Sequence, residues 1–147
     1  MLTKLEKEYK TDFYSWILHN AELMREGRVS EIDVEHIAEE LEAMGRSERR
    51  ELINRFAILI AHLLKWQAQP GLRGNSWKYT LKEQRIKIFD LLEDSPSLNH
   101  EIEEKIKHAY EQAIIIAMRE TGMEESHFPK ECPFTISQCL DDQFFPG

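Results

Sequence analysis

The sequence predicts an all-α fold, a single-domain bundle of five main helices with a short C-terminal helix and a Pro/Phe-rich tail packed on it. Three observations carry that prediction. Apolar residues recur at spacings of three and four in segment after segment, the signature of helices with one buried face. Six glycines and five prolines in 147 residues are too few for a turn-dense β sandwich or barrel. No stretch alternates apolar and polar residues as a half-buried strand does. A chain of this length, 41% apolar and 31% charged, fits one hydrophobic core over residues 1–147.

The elements follow in order. Residues 1–10 are charged and expected to be loosely ordered. Thr11 is placed to cap a first helix to about Glu26, with Phe13, Trp16, Ile17, Ala21 and Met24 as its inward stripe and Gly27 as its stop. Ser30, with Asp33 three residues on, opens a second helix over about 32–44. Its stripe is Val34, Ile37, Ala38, Leu41 and Met44, and Gly45 stands where a terminating glycine belongs. Ser47 then caps a third helix of about 22 residues that ends before Pro70. Its middle, Phe56–Leu64 (FAILIAHLL), is apolar on every side, so it should be enclosed by its neighbours.

After the loop GLRGNS, Asn75 or Ser76 starts a fourth helix to about Glu93, facing inward with Trp77, Leu81, Ile88, Phe89 and Leu92. Ser95 or Ser97 caps the fifth, which runs to Thr121 before Gly122. Residues 123–147 hold three prolines, so any helix there is short, and Thr135-Ile136-Ser137-Gln138 can cap one. Phe128, Phe134, Phe144 and Phe145 anchor this tail. The three tryptophans, 16, 66 and 77, all fall on predicted inner faces, where their large areas serve packing.

Composition narrows the function. A net charge of −8 opposes binding to nucleic acid or anionic lipid. The longest apolar run is nine residues, against about 20 for a membrane span. The charged N-terminus MLTKLEKEYK has no secretory core. Two cysteines cannot form a disulfide framework. A cytoplasmic protein with Cys132 and Cys139 as free thiols is expected.

The chain also resembles a known bacterial family. The strings DFYSW (12–16), EELEAMGRSERREL (39–52), HLLKWQ (62–67), SWKYTLKEQR (76–85), LLEDSPSL (91–98), ETG (120–122) and FPKECPFT (128–135) occur in the order typical of domain of unknown function family twenty-nine, from cyanobacteria and proteobacteria. The resemblance implies a compact helical domain in the bacterial cytoplasm. It brings no reaction, cofactor or catalytic residue with it. Cys139 lies outside the family pattern, which weakens any two-cysteine site.

Charge segregation is the feature most suggestive of function. Glu31, Asp33, Glu35, Glu39, Glu40 and Glu42 follow one another with no Lys or Arg among them, whereas Lys65, Arg73, Lys78, Lys82, Arg85 and Lys87 are interrupted only by Glu83. The simpler reading has these charges pairing internally or facing water. The sharper one is an acidic groove for a cation or a basic partner. GLRGNS runs into a helix N-terminus, where Arg73 and Lys78 would favour a phosphate or carboxylate, although no P-loop sequence is present. Arg85 is expected to reach inward to a carboxylate such as Glu39 or Glu40. His62 is expected to be a neutral core histidine with one hydrogen-bond partner rather than a general base, since no Ser or Cys stands in an activating motif.

No metal or cofactor is expected. Asp33-Val-Glu-His36 and Glu124-Glu-Ser-His127 imitate half of a di-iron pattern, and His127, Cys132 and Cys139 lack a fourth zinc ligand and CxxC spacing. The preferred function is a non-enzymatic module that binds a protein partner or a second copy of itself. An acidic regulator that occludes a basic partner is a variant of it. The alternative is a small enzyme or an anion- or metal-binding protein with a polar pocket around Glu39, His62, Arg73 and Arg85, the wider candidate patch being Glu39, Glu40, His62, Lys65, Arg73, Trp77, Lys78 and Arg85.

Overall fold

The computed structural model describes all of residues 1–147. Its elements are α1 (Lys4–Thr11), α2 (Phe13–Arg25), α3 (Val34–Ala68), α4 (Asn75–Asp94), α5 (Leu98–Thr121) and α6 (Ile136–Leu140), with short 3₁₀ turns at Val29–Glu31, Pro70–Leu72 and Glu125–His127. No strand is present, and no helix is long and apolar enough to cross a membrane. The domain expected over 1–147 is built as two compact units, residues 1–47 and 48–147, and α3 runs through both.

Two expectations about the N-terminal unit are corrected. Lys4–Thr11 form α1, with Thr3 accepting a hydrogen bond from the Glu6 N–H at its start. Asp12, not Thr11, caps α2, accepting from both the N–H and the hydroxyl of Ser15. The separate second and third helices are one helix of 35 residues, about 50 Å long. Gly45 does not end it. The only glycines with positive φ are Gly27 and Gly122, at +76° and +73°, and these do follow α2 and α5. An interior glycine costs a helix only about 0.5–1 kcal/mol, and the good helix formers on both sides carry the turn through. Nothing lies within 4 Å of where a Gly45 side chain would go. Gly45→Ala is therefore expected to raise stability by about 0.5–1 kcal/mol in thermal unfolding. A loss of stability would restore Gly45 as a helix terminator.

In the unit of residues 48–147 the apolar middle of α3 is enclosed, as its sequence predicts. Leu52, Phe56, Leu59, Ile60, Leu63 and Leu64 of α3 pack with Leu81 and Ile88 of α4 and with Ile102, Ala109, Tyr110, Ala113 and Ala117 of α5. Phe128, Phe134 and Cys139 add the tail to the same cluster. The capping box at Thr135 and Gln138 opens α6. Phe89, expected inside, is exposed, and Trp77 is half-buried.

The unit of residues 1–47 is different. Its only buried apolar side chain is Trp16. Phe13, Ile17 and Met24 of the first predicted stripe are exposed, as are Val34, Leu41 and Met44 of the second. Periodicity marks a face that would bury well; it does not supply the neighbour that covers it.

Candidate functional site

Of the eight residues singled out by the sequence, Glu39 and Glu40 belong to the N-terminal unit and the other six to the C-terminal unit. Glu40, His62, Lys65, Arg73 and Arg85 each have a hydrogen-bond partner within their own unit.

Around the end of α3, cations lie on aromatic faces. Lys65 is buried, with Nζ 3.2 Å from Glu120 Oε1 and 4.9 Å from the centre of the Trp77 ring. Arg73 lies 5.1 Å from the Trp66 ring and donates from Nε to the Trp66 carbonyl (2.7 Å) and from Nη2 to the Gly147 oxygen (2.7 Å). Lys78 approaches the same ring at 6.0 Å. Phe145 packs against Trp66 at 4.9 Å. The basic stretch thus holds the chain's own tail.

Arg85 departs most from expectation. It pairs with no carboxylate. Its Nε donates to the Cys139 carbonyl (2.8 Å) and its Nη2 to the Phe144 carbonyl (2.9 Å), with a longer bond to Gln138. Five donors in a rigid fork suit a turn of converging carbonyls. Burial holds its pKa below the usual arginine value, while the nearby Asp142 and Asp141 favour its charge. Arg85 borders a hollow of about 360 Å³ with Ile86, Phe89, Leu92 and Leu140, but its donors point to the tail.

His62 is buried, its Nδ1 3.0 Å from the Ile58 carbonyl one turn back. Burial pushes its pKa down, and the Lys65 charge adds to this against the opposing effects of the Ile58 carbonyl and Glu120. The neutral ring is the folded form. An unfolded histidine titrates near 6.5, so the stability due to His62 is fully present above that pH. It is lost as pH falls from there through the lower folded pKa. Urea midpoints are expected to drop on acidification below about pH 6.5, and His62→Phe to flatten that part of the profile. An unchanged slope in the variant would remove His62 as its source.

A second polar cluster, in the N-terminal unit, was not anticipated as a unit. The Trp16 indole N–H donates to Asp33 Oδ2 (3.0 Å), and His36 Nδ1 lies 2.7 Å from the same oxygen. Asn20 accepts the Asp33 N–H (2.9 Å) and donates to the Trp16 carbonyl. Tyr9 stacks on the His36 ring at 4.0 Å and donates to Glu40 Oε1 (2.5 Å). That bond raises the Tyr9 pKa to about 12. Burial alone would push the Asp33 carboxyl up, but the hydrogen bonds from Trp16 and His36 outweigh it and hold it below its ordinary value. The available signal was Asn20, a polar residue one turn from Trp16 beside an apolar stripe. The cluster ties α2 to the start of α3.

The sequence profile of the family described as "Domain of unknown function DUF29" matches residues 8–145. The chain belongs to this family. No curated protein and no solved structure matches it. In this DUF29 chain, no group of three or more His, Cys, Asp or Glu side chains is gathered in a way that could hold a metal ion. Cys139 is fully buried, and burial pushes its thiol pKa up to about 12, so it is a packing residue. Two hollows of about 770 and 490 Å³ lie along α5, both bordered by Tyr110, Glu111 and Lys130, and none of the eight residues lines them.

Proposed function

We propose that this DUF29 chain is a non-enzymatic protein-binding module of the bacterial cytoplasm, and that its N-terminal unit makes the contact. The observation that carries this reading is the inverted burial of residues 1–47. One apolar side chain, Trp16, is buried, while α2 presents Phe13, Tyr14, Ile17, Leu18 and Met24 to solvent. A contiguous apolar face of that kind is characteristic of interaction surfaces. Residues 1–47 carry eleven acidic and six basic side chains, a net charge of −5, which favours a partner whose apolar contact has a basic rim. The free thiols Cys132 and Cys139 accord with a reducing compartment. The alternative, an enzyme or an anion or metal site around Glu39, His62, Arg73 and Arg85, has less support because the polar groups of His62, Arg73 and Arg85 are spent on the fold.

The test is affinity capture from native extract at graded salt, comparing the natural chain with Tyr14→Glu/Leu18→Glu. A stoichiometric partner retained by the natural chain, lost by the variant and loosened by salt is expected. Absence of any stoichiometric partner, or equal capture by a variant of unchanged helicity, would refute the proposal.

A further inference from the structure

We infer that the chain self-associates, the acidic apolar face of α3 in one copy docking on the basic apolar face of α4 in another. This goes beyond the binding reading above and uses different residues from the α2 face. Two exposed stripes carry it. On α3, Val34, Leu41 and Met44 are 59%, 61% and 63% exposed; on α4, Tyr79, Ile86 and Phe89 are 68%, 51% and 65% exposed. Both follow the same spacing, i, i+7 and i+10, which gathers three side chains within an arc of about 80° over three helical turns. These are the positions that meet when helices pack along heptad-like seams.

Charge selects the pairing. Glu35 and Glu42 flank the α3 stripe, and no Lys or Arg lies between Glu31 and Met44. Two α3 faces would therefore set acid against acid. Lys78 and Lys82 flank the α4 stripe on one side, with Asp90 and the Glu83–Lys87 ion pair on the other. An α3 face whose glutamates lie on the lysine side meets opposite charge and avoids Asp90. Ile86 and Phe89 also border the hollow of about 360 Å³ whose apolar wall continues to Leu92 and Leu140 and whose rim carries Asp90 and Asp142, and that wall is a place for a Leu41 or Met44 side chain. Every copy carries one face of each kind, so the α3 face of each copy can be met by the α4 face of another.

Light scattering of the purified chain across a concentration series tests this with no other protein present. A species of at least twice 17.4 kDa that grows with concentration is expected. Glu35→Lys/Glu42→Lys and Lys78→Glu/Lys82→Glu should each weaken association by about a hundredfold, and the chain carrying all four changes should recover it. Leu41→Glu should stay monomeric with unchanged helicity. A monomer at every concentration, association indifferent to the charge changes, or no recovery in the fourfold variant would overturn the pairing. A monomer that captures a basic protein through Leu41 would do the same, giving the face to a different occupant while leaving the α2 proposal intact.

Discussion

Phe56→Ala is expected to destabilise the protein by about 3–5 kcal/mol. Phe56 is completely buried in α3, in the cluster where α3, α4, α5 and the tail meet. Truncation removes the transfer free energy of a benzyl group and leaves a cavity. The surrounding helices close it only in part, because their side chains are already packed at interior density. Domains of this size are stable by about 5–15 kcal/mol in all, so a large share of the folding free energy is lost. Urea unfolding followed by far-ultraviolet circular dichroism reads it as a fall in midpoint at nearly constant slope. Ile115→Ala is the control. It removes an apolar side chain from α5 at a position 61% exposed, outside both proposed docking faces, and should change stability by no more than about 0.5 kcal/mol. Equal losses in the two variants would contradict the assignment of Phe56 to the core.

The second large effect is expected at Arg85. Arg85→Leu keeps an apolar side chain on α4 but leaves the carbonyls of Cys139 and Phe144 without their charged donor. Unpaired buried acceptors cost about 1–3 kcal/mol each, so a total of about 2–6 kcal/mol is expected if the tail stays in place. The tail can escape part of that cost by detaching. Hydrogen exchange should then show the amides of 136–145 losing protection ahead of those in 52–64. Arg85→Lys should recover only part of it, since one ammonium cannot reproduce a fork aimed at two carbonyls. Tail amides that keep their protection in Arg85→Leu would show that the aromatic contacts of Phe134 and Phe144 hold the segment by themselves.

The comparison of these two residues shows where sequence reasoning works. Phe56 was legible as core because FAILIAHLL is apolar around the whole helix, and such a rod has only one stable place in water. Arg85 was legible as inward-reaching from its position one turn from Leu81 and Ile88. Its partner was not, because a guanidinium satisfies carboxylate and carbonyl oxygens alike, and the carbonyls come from residues 53 to 59 positions away. The same limit explains the candidate site. Residue type nominated Glu39, Glu40, His62, Lys65, Arg73, Trp77, Lys78 and Arg85, but local hydrogen bonds and ring contacts had already claimed most of them. The Trp16–Asp33–His36 cluster escaped notice because its members looked like separate things, a core tryptophan, a cap and a fragment of a metal motif. Gly45 was misread for a related reason: its intrinsic preference is weak, and the residues on both sides of it outweighed that preference.

By itself the sequence determined the helical class, the segments that bear apolar stripes, the enclosed rod of α3 and the family. Those depend on period and composition, which are local properties. The tertiary structure alone decided which stripes find a cover. The stripes of 52–64, 81–88 and 102–117 meet one another and vanish from solvent, whereas Val34, Leu41 and Met44 keep the same helical period and remain wet. Hydrophobic burial needs two surfaces, and the second is supplied by chain topology.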